Sequence, residues 1–439
     1  MARLIVLLLA SMLASFALAD TPTHLAPYDH VIIFGDSLSD IGNMPMSPTL
    51  IEPSTGAVAL NLYVPISNPI VPNGRYYRVP LTKHYLTYPK PSPTLSPLLS
   101  VHGKIFPRNY KSLNWAQFFV HEAQTEGLVA NQENLVPWVW WKRYSNNVRS
   151  IDFAFAGATS QNDCRDFEYQ HPDNNCNSES VYKAQIPYRT QGFTQSNTHS
   201  SSVNLVQVPG VNKQVAMFLE AAKQHPQLTT PNTLYVIFVG GNDLNLALLN
   251  LSKHHYIAAF AALLHGTSHN VATAISTLQH KANAKHIVVM NLFDMRETPY
   301  LHTNIVKLQH LTPKQEKHLL SLTHIAVSMY NHQLKHMVER INFFEHSMLN
   351  MPIKVTYFDT EKALAAMTKS PIFNQTRTRY QMCIHNTGIP DAYYSEQNLC
   401  INDGAKYLFW NGAHPSVYVG AYIGYELTQQ LKQAFNNTH

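Results

Sequence analysis

"HVIIFGDSLSDIGN", His30 to Asn43, carries an unbroken apolar run straight into a polar turn. Residues Val31–Phe34 are continuously apolar, as expected of a strand covered on both faces. The run stops at Gly35, and Ser37 falls on the turn that follows. In an open parallel sheet, ligands bind beyond the carboxyl ends of the strands. A serine hydroxyl at this point is therefore placed where a nucleophile belongs. The competing reading is a plain polar turn. The Gly-x-Ser-x-Gly elbow of α/β-hydrolases is absent from the chain.

Working outward, four further short runs read as strands: "IDFAFAG" (Ile151–Gly157), "TLYVIFVGG" (Thr233–Gly241), "HIVVMNL" (His286–Leu292) and "IKVTYFD" (Ile353–Asp359). Helical patterns separate them at Leu113–Leu128, Val211–Gln224, His255–Lys281 and Pro313–Arg340, and a last amphipathic run follows His414-Pro415. Thr312, Pro313 and Gln315 form a capping box at the start of the fourth helix. Its apolar face is expected to include Leu319, Leu322, Ile325, Met329 and Leu334. Alternating strands and helices predict one α/β domain, residues 20–439, around a mainly parallel five-stranded sheet.

Two stretches interrupt this pattern. Residues from about 44 to 108 are proline-dense ("YPKPSPTLSP") and lack periodicity, which marks an inserted surface excursion. "VPWVWWKRY" (Val136–Tyr144) clusters three of the five tryptophans beside two basic residues. It reads either as core packing or as an acyl-chain-contacting patch.

The chain opens "MARLIVLLLASMLASFALAD", with Arg3, an apolar run and an Ala-Leu-Ala site ending at Ala19. Residues 1–19 are expected to be a secretory signal peptide rather than a short anchor, so the mature protein is expected outside the cytoplasm. Four cysteines then favour two disulfides, with sequential pairing, Cys164–Cys176 and Cys383–Cys400, expected among the three connectivities. The charged fraction is only 13%, the net charge +5, and Lys and Arg are scattered, which argues against a nucleic-acid partner. None of the 24 histidines falls in an HExxH or other spacing read as a metal site.

Three more positions join Ser37. Gly157 ends the second strand, where a bare backbone N–H can approach a substrate oxygen closely. Asn242 follows the third strand in "VGGND" and offers a side-chain amide. The Ser37 N–H, the Gly157 N–H and Asn242 Nδ2 could converge on one oxyanion, and such preorganised donors are worth roughly 3–4 kcal/mol each in a transition state. Singly, each also reads as a capping glycine or an Asx-turn. His414, at the start of the last helix, is the candidate base.

Taken together, "FGDSLSDIGN", "FAFAGATS", "VGGND" and "FWNGAHPS" resemble, in order, the four blocks of the GDSL or SGNH hydrolase family. The resemblance runs from about His30 to the C-terminus. It implies a flavodoxin-like three-layer sandwich with a five-stranded parallel sheet. Ser37 would be the nucleophile, His414 the general base and then acid, and Ser37, Gly157 and Asn242 the oxyanion donors. No metal or organic cofactor is implied. The cysteine-bracketed loop after the glycine block is similar to that of bacterial secreted phospholipases A, lysophospholipases and glycerophospholipid:cholesterol acyltransferases. That similarity implies a phospholipid or lysophospholipid substrate met transiently at a membrane surface, cholesterol as a possible acyl acceptor, and activation by proteolysis within the Cys164–Cys176 loop.

One position departs from the pattern. The family has aspartate three residues before the histidine, where this chain has Asn411. An amide oxygen can still accept the imidazole N–H, but it brings no charge to stabilise the imidazolium. In a serine-protease triad the same exchange costs about ten-thousand-fold in rate. Four accounts follow: a slow but active triad, a substitute acid such as Asp359 or Asp403, a lipid-binding relative with little turnover, or deamidation at the unhindered Asn411-Gly412 dipeptide.

Overall fold

Residues 26–41, 43, 115–130, 135–144, 148–165, 172–183, 207–250, 256–301, 311–347, 354–369, 408–409, 413–415 and 417–437 are described by a computed structural model. The expected leader, the proline-dense insertion, Cys383, Cys400, Asp403 and Asn411 lie outside these residues. In chain order the elements are β1 (His30–Gly35), α1 (Trp115–Thr125), β2 (Val136–Pro137), α2 (Trp138–Tyr144), β3 (Ile151–Asp152), β4 (Cys164–Arg165), β5 (Val208–Pro209) and α3 (Val211–Gln224). Then follow β6 (Thr233–Phe238), α4 (Gly241–Asn250), α5 (Tyr256–Ala282), β7 (His286–Met290), α6 (Pro313–Ser347), β8 (Lys354–Phe358), α7 (Thr360–Thr368) and α8 (Val417–Asn436).

The main sheet runs β2-β3-β1-β6-β7-β8, and every pair in it is parallel. The five expected strands are present, and the two-residue β2 extends them to six at one edge. Without β2 the order is 2-1-3-4-5, the flavodoxin arrangement. Connections leave β1 toward one edge and β6 toward the other, so the topological switch point lies between them. Strand β3 is shorter than expected: beyond Asp152 the Phe153 and Phe155 amides still donate to the Ile33 and Gly35 carbonyls of β1, but side chains occupy the other edge. Asn43 Nδ2 donates to the carbonyls of Asp152 and Ala154, and the Ala156 amide donates to Asp40.

Strand alternation separates the two helical layers. Tyr235 of β6 meets Phe218 of α3 edge to face, while Phe238, three residues on, meets Trp115 of α1. Residues an odd number apart on a strand point to opposite faces, so α3 and α1 cover opposite sides. Phe34 of β1 lies in register with Ile237 of β6 and joins Phe218 and Phe153 on the α3 side. Helices α5 and α6 continue that layer, while α8 packs on α1 and α7 on α8.

The capping box at α6 forms as expected: the Thr312 amide donates to Gln315 Oε1 and the Gln315 amide to Thr312 Oγ1. The expected apolar face needs correction. The buried stripe is Leu319, Thr323, Ala326, Val327, Tyr330, Leu334 and Val338, whereas Ile325 and Met329 are 51% and 48% exposed. At about 3.6 residues per turn those two fall on the far side of the helix from the stripe. In the tryptophan cluster, Trp138 and Trp141 are buried, which settles those two as core packing. Trp138 stacks against Phe153 and Phe155, and Trp141 Nε1 donates to the Val148 carbonyl.

Cys164 and Cys176 are disulfide-bonded, as expected for that pair. The pairing of β4 with β5, and backbone bonds between Cys164 and Asp173, seat this loop beside the start of α3. Among the described residues no helix is long and apolar enough to cross a membrane.

Helix α8 crosses α1 at Gly424. A Cβ there would stand 2.8 Å from the Phe119 amide nitrogen and 2.9 Å from the Trp115 carbonyl oxygen. Both are backbone atoms that cannot turn aside. Gly424→Ala gains about 1 kcal/mol in helix propensity, but overpacking costs about 1–3 kcal/mol. A net loss of stability of up to about 2 kcal/mol is expected in urea unfolding, whereas a stabilised variant would show that the helices part freely here.

Candidate active site

Ser37 sits at the switch point because β1 must turn sharply once it leaves the sheet. Gly35 is pinned from both sides by the buried Gln214 amide: its N–H donates to Gln214 Oε1 at 2.9 Å, and its carbonyl accepts from Nε2 at 2.8 Å. The chain then folds back on Asp36. The Asp36 carbonyl accepts the amides of Ser39 and Asp40, and its Oδ1 accepts the Leu38 amide. This closed turn fixes the backbone on both sides of Ser37 and lifts its side chain to the partly exposed rim.

Two neighbouring loops are fastened to that turn. Asp40 accepts from the Ala156 amide at 2.8 Å and from the Asn43 amide at 2.7 Å. Gly157 follows with φ +86, a backbone conformation suited to glycine. The third connection, from β6 into α4, turns at Gly240 and brings in Asn242 and Asp243 on the first turn of α4. Asn242 Nδ2 donates to the Ala158 carbonyl at 2.9 Å, while Asp243 accepts both the amide and the hydroxyl of Ser160. The loops bearing Ser37, Gly157 and Asn242 are thus joined by direct bonds.

His414 arrives from the far end of the chain. Its Nε2 lies 2.8 Å from Ser37 Oγ, across 377 residues of sequence. An antiparallel bridge between Phe409 and Pro415 fixes the backbone next to it. A part of the imidazole meets solvent, yet burial of the ring disfavours the charged form and pushes its pKa down from 6.5 to about 4. His414 is neutral near pH 7, which leaves Nε2 able to accept the serine proton.

The floor of the site is acidic. Asp36 is buried, and desolvation, with a further push from the charge of Asp243, raises its pKa to about 7. Asp243 is itself raised, chiefly by burial. Deeper in the block, burial and the charge of Asp40 hold Asp152 well above the ordinary carboxylate range. Sequence reasoning missed these supporting roles, although Asp36, Asp40 and Asn43 stand inside the stretch first singled out. Their local signal is that of turn residues; the partners that give them meaning lie more than a hundred positions away.

Asp359, considered as a substitute acid, is instead the N-cap of α7. Its Oδ1 accepts from the Lys362 amide and from Asn291 Nδ2. A carboxylate, a histidine and another carboxylate also gather at Asp294, His324 and Glu361, with ligand atoms within 4.8 Å of one another.

The sequence was compared with family models, and that of the GDSL-like lipase/acylhydrolases matches residues 31–427. No curated protein matches the chain by sequence.

The depressed pKa of His414 gives a direct expectation. Its folded value lies below the ordinary 6.5, so the neutral imidazole is part of the folded state. The associated stability is complete above about 6.5 and is lost as pH falls toward 4. Nitrogen-detected NMR titration of His414 should place its midpoint between these values, nearer 4. A midpoint at or above 6.5 would contradict the burial argument.

Proposed function

The chain belongs to the GDSL-like lipase/acylhydrolase family, and from that premise we propose that it is an exported serine esterase of (lyso)phospholipids. Family membership indicates an acylhydrolase. The finer reading is carried above all by the 2.8 Å contact between His414 Nε2 and Ser37 Oγ at the switch point. A lone histidine or serine on a turn gives no such pair, and nothing in core packing demands one.

In the proposed reaction Ser37 Oγ attacks the ester carbonyl while His414 Nε2 takes its proton. Negative charge develops on the carbonyl oxygen and is met by the amides of Ser37 and Gly157 and by Nδ2 of Asn242. Collapse of this intermediate breaks the bond to the glycerol oxygen, and His414 returns the proton to that leaving group. Water, or the hydroxyl of a sterol, then attacks the acyl-serine with His414 again as base. Hydrolysis gives a fatty acid, and transfer to cholesterol gives a sterol ester.

The lipid substrate and the sterol acceptor rest on the resemblance of the Ser37, Gly157, Asn242 and His414 blocks and on the disulfide loop that follows Gly157. The leader-like segment supports export, and a transient encounter with a membrane surface follows from a lipid substrate. Proteolysis within the Cys164–Cys176 loop is part of the same proposal; the loop is anchored beside Gln161 and α3, close to the Ser160–Asp243 contact. Asn411 favours a second reading, a lipid-binding relative with little turnover, because its amide supplies no charge to the imidazolium.

Hydrolysis of lysophosphatidylcholine, with and without cholesterol, separates these readings. Ser37→Ala is expected to lower kcat by about a thousandfold or more, and Asn411→Asp to raise it by about tenfold or more. Equal inertness of the unsubstituted chain and Ser37→Ala toward every lipid ester would leave only the binding reading. Failure to form sterol ester while fatty acid is released would restrict the enzyme to hydrolysis.

A further inference from the structure

Helix α6 carries two histidines one turn apart on its exposed side. His332 and His336 have ring centroids 4.3 Å apart, with planes at 79°. Both residues are exposed, and so is Glu339 one turn further on. Glu339 Oε2 lies 3.2 Å from Nδ1 of His336. None of these three side chains belongs to the buried stripe of α6, and none lies in the Ser37 site.

We propose that His332 and His336 form a surface binding site for a divalent transition-metal ion, zinc or copper(II), with Glu339 orienting His336. Residues four apart on a helix lie one above the other, so both imidazoles can reach one ion without any change in the backbone. An ion about 2.0–2.1 Å from each nitrogen requires those nitrogens to stand about 3 Å apart. Rings already in contact come to that separation by rotation about χ2, a broad torsion. A carboxylate beside Nδ1 of His336 favours the proton on that nitrogen and leaves the Nε2 lone pair for the metal, the orienting role that carboxylates play behind metal-bound histidines. Imidazole pairs suit zinc, nickel and copper, with copper(II) bound most tightly.

The cluster of Asp294, His324 and Glu361 is a poorer host despite having three candidate ligands. Both carboxylate oxygens of Asp294 already accept from the Arg296 guanidinium, and Oδ2 also meets Nδ1 of His324. Asn331 Nδ2 occupies Glu361 Oε2. A metal there would have to displace a fixed cation. At His332 and His336 the flanking Lys335 and Arg340 are exposed and free to swing into solvent, so their charge is screened.

Two ligands hold an ion less tightly than the four of a closed structural site, so a Kd on the order of 1–100 µM is expected. The chain has 24 histidines, and the test is therefore a difference between variants of the full chain. Calorimetric titration with zinc chloride should show one fewer bound ion in His332→Ala and in His336→Ala than in the unsubstituted chain. His318→Ala, an exposed histidine elsewhere on α6, should leave the stoichiometry unchanged. Glu339→Gln should weaken the site about tenfold. Copper(II) electron paramagnetic resonance should show nitrogen couplings that disappear in the doubly substituted chain. Circular dichroism melts confirm that the variants keep their helix, as exposed His→Ala changes on a helix should. The proposal is overturned if the double variant, folded by that measure, binds zinc with the stoichiometry and affinity of the parent.

Discussion

The bond from the Ala156 amide to Asp40, 2.8 Å long and wholly buried, joins loops 116 residues apart, and the arrangement of the site follows from it. A carboxylate taken out of water is costly unless its oxygens are met by donors. Asp40 meets that requirement only if the loop after β3 comes alongside the turn that bears Ser37. Asp152 repeats the logic in the opposite direction, accepting the Ile41 amide from that turn and the Ala154 amide from its own loop. Asn43 completes the join, with its side-chain amide bonded to the carbonyls of Asp152, at the end of β3, and Ala154, and its oxygen to the Val139 amide. Each such bond contributes roughly 0.5–1.5 kcal/mol, more where the acceptor is charged, and leaving a buried group unpaired costs about 1–3 kcal/mol. The two loops therefore have one low-energy way to meet, and it fastens the loop bearing Gly157 to the turn bearing Ser37.

The same constraint explains what could be read from the sequence. Strands β1, β6, β7 and β8 announce themselves as apolar runs because both faces are covered, and α3 and the start of α6 carry their own local signals. Strand β3 reads as seven residues yet pairs over two: amides as far as Phe155 still reach β1, but the other edge is taken by side chains of residues 40 and 43. On α6 the apolar letters at Ile325 and Met329 suggested a buried face, but only the three-dimensional neighbours decide which side of a 35-residue helix is covered. Helix α4 was invisible for a related reason: Gly241 and Asn242 read as a turn, and the helix beginning there is held by the Asp243 bonds to Ser160.

At the site, the four blocks singled out Ser37, Gly157, Asn242 and His414 as candidates one by one, and the structure brings Ser37 and His414 into direct contact. Their supporting residues were less legible. Gln214 looks like one polar letter in a helix, although its amide binds both backbone groups of Gly35. Asp36 and Asp243 look like ordinary turn acids, and only burial reveals that they interact. A motif records which groups are near in sequence, whereas burial depends on everything that surrounds them.

Burial also bears on the one position that departs from the family pattern. A region that lowers the pKa of His414 to about 4 is unfavourable to the imidazolium formed when serine gives up its proton. The nearby acids do not remove that penalty cheaply, because Asp36 and Asp243 are themselves pushed toward their neutral forms. In the proposed reaction the charge that balances the imidazolium must then arrive with the substrate, as the oxyanion held by Ser37, Gly157 and Asn242. An aspartate at position 411 would supply a standing negative charge before substrate enters; asparagine supplies a hydrogen-bond acceptor alone. The imidazolium and the oxyanion must accordingly form together. A poorly seated ester, whose oxyanion misses its donors, would lose both stabilisations at once. In the proposed reaction, Asn411 would make turnover depend more steeply on substrate fit than a charged residue would, so that selectivity would be gained where rate is lost.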